Sequence, residues 1–495
     1  MEQQLSFVLK LSLEEMALRR SVINLWSETD VLSSIEDLEF ESLPEGRETL
    51  NGMVKEKISN LVIPEPLKKR MMIIVKPIGA ELARWKTFHK NVVNWSHDGL
   101  GLNILKQLCW TPAGTVDYPK SAEKLLRLDA LGVQTGYKLA SLYCLVDYIP
   151  ELWDKLPRSC KKRYLSKSPF VPSRVKLDVA WAYLLTGQES TLDSIVAESV
   201  SRDSSFQQLA CEYSALSGNK GAAEYFFKKL SNAERNSFLV PLVNEIAIDR
   251  DTESRRRSGD FPIEKLSEVL CYFLSQMSPE QHMQALRTVP CELLGSFLDW
   301  PLQDLCLEMA DLAWQFLTEQ EYYFFIETIS KNIEKTDHYF PDFLQKLYLN
   351  SPSEFKSFFV DYGAYQTCFF PKFFDTGDTQ TIQIIFRNLE DFDKIRLVYG
   401  YNFFRLFDSL LLTEKRHLIK MCLEEALKSE NHKILVEKSY MQFLAEAHAP
   451  DMWLRKRRWR QIFLAIDKIL AKTRNKRAII EEIVTESKKC CKRRK

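Results

Sequence analysis

The residues best suited to bind a metal ion or carry protons are seven histidines, His89, His97, His282, His338, His417, His432 and His448. They are scattered, and none forms an H-x-x-x-H pair or a Cys and His spacing suited to zinc. Solvated or hydrogen-bonded single histidines are the reading, and no metal site is expected. Gly99-Leu100-Gly101 has the first two glycines of a dinucleotide fingerprint, but no third glycine follows and no strand pattern precedes, so it reads as a helix-end turn. The sequence has neither G-x-x-x-x-G-K-[ST] nor G-x-S-x-G, which leaves P-loop and hydrolase-elbow chemistry without support. Asp361, Asp375 and Asp378 flank an aromatic cluster, and paired carboxylates can do acid and base work. Only proximity in sequence joins them, so caps and turns are their default roles. No catalytic residue and no cofactor is expected, and the chain reads as not an enzyme.

Charge is the other candidate chemistry. From Trp453 to Lys495 there are sixteen Lys or Arg against four Asp or Glu. This excess of about +12, in a chain whose total is +1, leaves an acidic body of about −11 before it. Arg455, Lys456, Arg457, Arg458 and Arg460 surround Trp459, and Lys492, Arg493, Arg494 and Lys495 end the chain. Between these clusters Ile462, Phe463, Ile466, Ile469 and Leu470 mark an amphipathic helix. These basic residues and Trp459 are the candidate polyanion site, for RNA, DNA or an anionic membrane. Nuclear localisation and a solvated helix end are the competing readings. Cys490-Cys491 could ligate metal, pair or be acylated, but a mobile, unmodified pair is the default.

The elements that would position such groups are helical. Glycine numbers 16 in 495 residues, about half the usual share, which disfavours folds built on tight hairpins or phosphate loops. Hydrophobic residues at 45% and charged residues at 27% are those of a folded chain. Capping boxes are expected at Ser12 with Glu15, Ser278 with Gln281, Thr318 with Glu321 and Ser351 with Glu354. The stretch around Lys76-Pro77 reads as two helices. Paired aromatics between Phe355 and Phe374 read as core, with a peptide groove or base-stacking face as the alternative. No run approaches eighteen apolar residues, so a membrane span is not expected. The opening MEQQLSFVLKLSLEEMALRR lacks a basic start, so a secretory signal is not expected either. Eleven cysteines, mostly single within helical runs, read as free buried thiols of a reducing compartment, cytoplasmic or nuclear.

Leu209 to Leu230 is the clearest stretch. Leu209, Ala210, Tyr213 and Leu216 share one helical face, Ser217, Gly218 and Asn219 break it, and Ala222, Tyr225, Phe226 and Leu230 resume it. Such a helical hairpin cannot cover its own apolar faces and must stack on neighbours. Ala140 with Tyr143 and Ala180 with Tyr183 repeat the small-then-aromatic pattern at intervals of 40 and 30 residues from one copy to the next. The order of residues from Leu209 to Leu230 resembles a tetratricopeptide repeat, with its turn glycine one place late at Gly218. The resemblance implies a helical hairpin and a protein-binding scaffold, with no binding residues carried over.

The expectation is therefore an all-α protein of stacked antiparallel helical hairpins, a degenerate α-solenoid-like array. Its regions would be 1–116, an N-terminal helical region; 117–248, hairpin repeats; 249–262, a charged linker; 263–450, an aromatic-rich helical region; and 451–495, the basic C-terminal helix and tail. The expected function is a non-enzymatic intracellular scaffold for a protein partner. Polyanion binding through the C-terminus is the alternative, and an enzyme of unrecognised type is the weaker one.

Overall fold

Ser12 accepts the Glu15 amide at 3.2 Å while the Glu15 carboxylate accepts the Ser12 N–H at 2.9 Å, so the helix Leu13–Trp26 starts with both donors satisfied. The same reciprocal box opens Pro279–Thr288 from Ser278 and Gln281, and Glu319–Lys335 from Thr318 and Glu321. An unforeseen box of Ser231 with Glu234 opens Asn232–Thr252. Ser351 departs from expectation. Its hydroxyl donates to the Tyr348 carbonyl and accepts from the buried Tyr322 hydroxyl, because a buried phenol needs a partner more than an exposed helix end does.

The computed structural model describes residues 7–37, 44–93, 104–171, 174–199, 205–252, 259–335, 341–365, 373, 378–413, 415–446, 453–468 and 471. Most of these residues are helical, in mostly antiparallel stacked pairs, as the patterning predicts. Phe170–Val171 and Arg174–Val175 form a two-residue antiparallel pair, the one small strand element among the described residues. The chain divides into two compact units, Met1–Phe316 with Asp337–Tyr339, and Leu317–Thr336 with Phe340–Lys495.

In the first unit the segment around Pro77 is one helix, Glu65–Val93, and not two. The Trp26 indole N–H donates to the Val75 carbonyl beside the proline, and its ring lies where a Cβ on Gly79 would be. Packing against Leu13–Trp26 thus holds the helix continuous through a residue that lacks its own donor. Glu81 on this helix is buried with Lys265 of Glu264–Ser275 at 3.2 Å and Arg84 at 3.0 Å. Burial alone would raise the Glu81 carboxyl, but Lys265 and Arg84, with the Val116 amide, hold it down to about 2.

Helices Phe206–Leu216 and Lys220–Lys229 form the expected hairpin, with Ala210 and Ala222 fully buried in it. Gly218 turns the chain at φ +84, a conformation other residues adopt at a cost. Asn219 caps the second helix by accepting the Ala222 amide at 3.1 Å.

The charged stretch 249–262 is not a boundary between units, since the division falls at Phe316. Residues 249–252 belong to the helix Asn232–Thr252, Phe261 is buried, and its N–H donates to the Ser217 carbonyl of the hairpin turn at 2.9 Å. Phe261 thus ties the end of the stretch to the hairpin turn, and residues 253–258 lie outside the described ones.

The second unit packs Glu319–Lys335, Pro341–Asn350, Ser353–Tyr365, Thr379–Arg387, Asp391–Tyr399, Tyr401–Leu412, Arg416–Ala426, Glu430–Glu446 and a helix over 453–468. Phe355 stacks on Tyr322 at 5.0 Å and Phe373 is fully buried, so these two aromatics serve the core.

Candidate functional site

A cavity of about 730 Å³ opens in the first unit between the hairpin and its neighbours. Helix Val133–Leu142 contributes Gln134 and Lys138, helix Arg158–Leu165 contributes Arg163 and Tyr164, and Lys167 and Lys176 flank the small strand pair. Phe206–Leu216 adds Glu212 and Tyr213, Asn232–Thr252 adds Glu245 and Asp249, and Asp260 and Phe261 close the wall. Cations thus come from the earlier elements and most carboxylates from the later ones.

Local chemistry holds these parts in place. The Asn219 amide donates to the Leu142 carbonyl at 2.7 Å, joining the hairpin turn to the end of the Lys138 helix. The Tyr137 hydroxyl, pushed upward chiefly by burial, donates to the Asp178 carbonyl at 2.8 Å and ties that helix to Leu177–Leu185. Tyr164 is only 3% exposed, and burial pushes its hydroxyl up to about 12, with the Gln134 side chain beside it drawing it the other way. Arg163 reaches the Cys160 sulfur at 3.5 Å.

Two strongly shifted groups lie elsewhere, in the packed interior. Glu81 is spent in its ion cluster, and burial pushes His89 down to about 3. His89 Nδ1 lies 2.8 Å from the Trp85 carbonyl, which can only accept, so the proton sits on Nδ1 and Nε2 accepts from the Tyr143 hydroxyl at 2.7 Å. Among the described residues no group of three or more His, Cys, Asp or Glu is placed to hold a metal ion. Asp378 caps Thr379–Arg387 by accepting the Thr381 amide at 3.1 Å. The side chains of Asp361 and Asp375, with Gly99 to Gly101 and Cys490-Cys491, lie outside the described residues.

The C-terminal candidates separate onto two faces of the helix over 453–468. Trp459 is 0% exposed and stacks on Tyr440 at 3.9 Å, and Arg455 is buried in an ion pair with Asp408. These two therefore face inward and offer nothing to an external polyanion, because the apolar side formed with Ile462, Phe463 and Ile466 is what docks the helix. Arg458 donates to the Leu411 carbonyl at 2.8 Å. Arg457 and Arg460 are exposed, Lys456 is half-buried, and Arg457 lies over the Trp453 ring at 5.5 Å. Lys492, Arg493, Arg494 and Lys495 lie outside the described residues.

The cavity itself was not foreseen, although a signal for it exists. Between Asp154 and Asp178 the sequence has eight Lys or Arg and no acidic residue, and three of those eight, Arg163, Lys167 and Lys176, line the cavity. No protein-family model matches the chain, and no curated protein matches it in sequence. Among the described residues, no helix is long and apolar enough to cross a membrane.

Proposed function

We propose that the chain is a non-enzymatic interaction scaffold whose cavity takes a peptide segment of a protein partner. The observation that carries this reading is the make-up of the cavity wall: charged and polar groups from several stacked helices, with the exposed Gln134, Arg163 and Lys167 at its rim. Pockets for small ligands are mostly apolar with a few polar groups, whereas stacked hairpins use broad polar concavities to bind extended chains. The resemblance of Leu209 to Leu230 to a tetratricopeptide unit favours the same reading. An enzyme remains the weaker rival, since Glu81 and His89 are committed to the interior. Buried thiols at Cys144, Cys211, Cys306 and Cys422, with no disulfide among the described cysteines, favour a cytoplasmic or nuclear setting. Panning a random-peptide display library against the full chain tests the reading. Enriched peptides should lose binding when Gln134→Trp and Ser217→Trp fill the cavity mouth; enrichment of none that respond to these changes would refute it.

A second reading, polyanion binding through the C-terminus, is favoured by one observation: Arg457 and Arg460 are exposed on the same helix as Trp453, itself 70% exposed. Binding to RNA or to anionic vesicles that falls steeply with salt, and that Arg457→Glu with Arg460→Glu abolishes, would support it. Binding unchanged by those substitutions would refute it.

A further inference from the structure

The outer face of the helix over 453–468 mixes cations with apolar side chains. Trp453, Arg457, Arg460, Gln461 and Leu464 are exposed, and their spacing gathers them into one sector of about 100°, opposite the buried Arg455, Trp459, Ile462, Phe463 and Ile466. Trp453 is 70% exposed and Leu464 is 61% exposed, about 16 Å apart along the axis. Arg457 and Arg460 lie between them, and neither these nor the half-buried Lys456 forms an ion pair with another described residue. From Trp453 to Ile466 the sequence holds no Asp or Glu. Asp467, the first acid of the helix, pairs with Lys433, which also holds Glu430 at 3.3 Å. The flank continues the mixture. Arg458 donates to the Leu411 carbonyl, the adjoining Leu412 is 50% exposed, and Arg416 donates to Gln461 at 3.1 Å. Glu414 lies outside the described residues. From 469 to 495 the sequence adds ten Lys or Arg against three Asp or Glu, so the sign of the charge persists.

Resting on the polyanion reading, we propose that this outer face lies flat on an anionic membrane surface, with Trp453 and Leu464 entering the headgroup layer and Arg457 and Arg460 holding lipid phosphates between them. Charge complementarity selects an anionic partner, and the arginine fork can hold one phosphate in two bonds. The apolar side chains then choose lipid over nucleic acid. An exposed indole serves either, since it stacks on a base or settles among headgroups. Exposed leucines do not. Single-stranded RNA is held by backbone cations and aromatic stacking and gives Leu464 and Leu412 little apolar surface, whereas the edge of the acyl layer takes them out of water. Shape agrees, because a straight, convex helix face meets a plane along its whole length.

The test is co-sedimentation of the full chain with vesicles of phosphatidylcholine alone or with about one third phosphatidylserine, beside filter binding to a labelled single-stranded RNA. The chain should sediment with the anionic vesicles, less as salt rises, and not with the neutral ones. Arg457→Glu with Arg460→Glu should weaken that binding roughly tenfold or more. Trp453→Ser with Leu464→Ser should weaken it severalfold and leave its salt dependence unchanged. All four side chains are exposed, and unchanged melting curves would establish that the variants fold. Oxidative footprinting of the parent chain reads the same contact without any substitution, and anionic vesicles should protect Trp453. An unprotected Trp453, equal binding to neutral and anionic vesicles, or vesicle binding indifferent to the Trp453 and Leu464 changes would overturn the proposal. If RNA is bound through Arg457 and Arg460 and vesicles are not, this inference fails and the polyanion reading stands; if binding of neither depends on these arginines, both fail.

Discussion

The side chain of Asn219 joins two parts of the repeat array: its amide donates to the Leu142 carbonyl at 2.7 Å, across 77 positions of sequence, while its oxygen accepts the Ala222 amide. One residue thus caps the second helix of the hairpin and fixes the hairpin turn against the helix that carries Lys138. Asn219→Ala removes a helix cap and leaves the Leu142 carbonyl without its partner, which should cost about 2–4 kcal/mol. Urea unfolding checks this; a loss below about 0.5 kcal/mol would mean that the turn is not fixed in this way.

Acid should destabilise the first unit in two stages. Burial holds His89 at about 3 when folded, against an ordinary value of 6.5. The unfolded chain therefore binds the extra proton first, and this contribution is complete above about 6.5 and is lost as pH falls toward 3. Glu81 is held at about 2 against 4.5, so its contribution is present above about 4.5 and is lost below that. Between pH 6.5 and 4.5 the His89 effect alone approaches about 1.4 kcal/mol per pH unit. Stability measured across this range should slope downward toward acid, and His89→Gln should flatten the slope. An equal slope in both proteins would count against a neutral, buried His89.

Ala210 is fully buried within the hairpin, where the two helices pack closely. Ala210→Trp should destabilise by roughly 1–3 kcal/mol, because a close-packed interior cannot take an indole without strain. A melting curve like the parent's would contradict this placement.

The helix over 453–468 should separate structural from surface residues. Trp459→Ala removes a ring stacked on Tyr440 and should cost about 3–5 kcal/mol, whereas Arg457→Ala should stay within about 0.5 kcal/mol. Similar melting of the two variants would show that the inner and outer faces are misassigned.

Helix starts were the most legible part of the sequence, because a capping box is local and its partners lie three residues apart. The hairpin from Leu209 to Leu230 was legible for a similar reason, with small, aromatic and turn residues at helical spacing. What escaped depended on partners distant in sequence. Pro77 reads as a break until Trp26 is placed against Val75 and Gly79. Ser351 reads as a cap until Tyr322 takes its hydroxyl. Arg455 and Trp459 read as part of a basic patch because periodicity does not say which face of an isolated helix docks; Asp408 and Tyr440 decide that. The cavity was hidden because its lining comes from several helices, although the run of basic residues between Asp154 and Asp178 was visible.

The scaffold account is tested most directly by placing a photo-crosslinking residue at Gln134, on the rim of the cavity, and at Lys162, which is exposed but does not line it. Illumination of the full chain in an extract of its own cells, with and without a selected peptide as competitor, reads out what occupies the cavity. The account predicts a protein adduct from position 134 that the peptide abolishes, and no such adduct from position 162. No protein adduct from position 134, or one that forms equally from both positions and ignores the competitor, would contradict it.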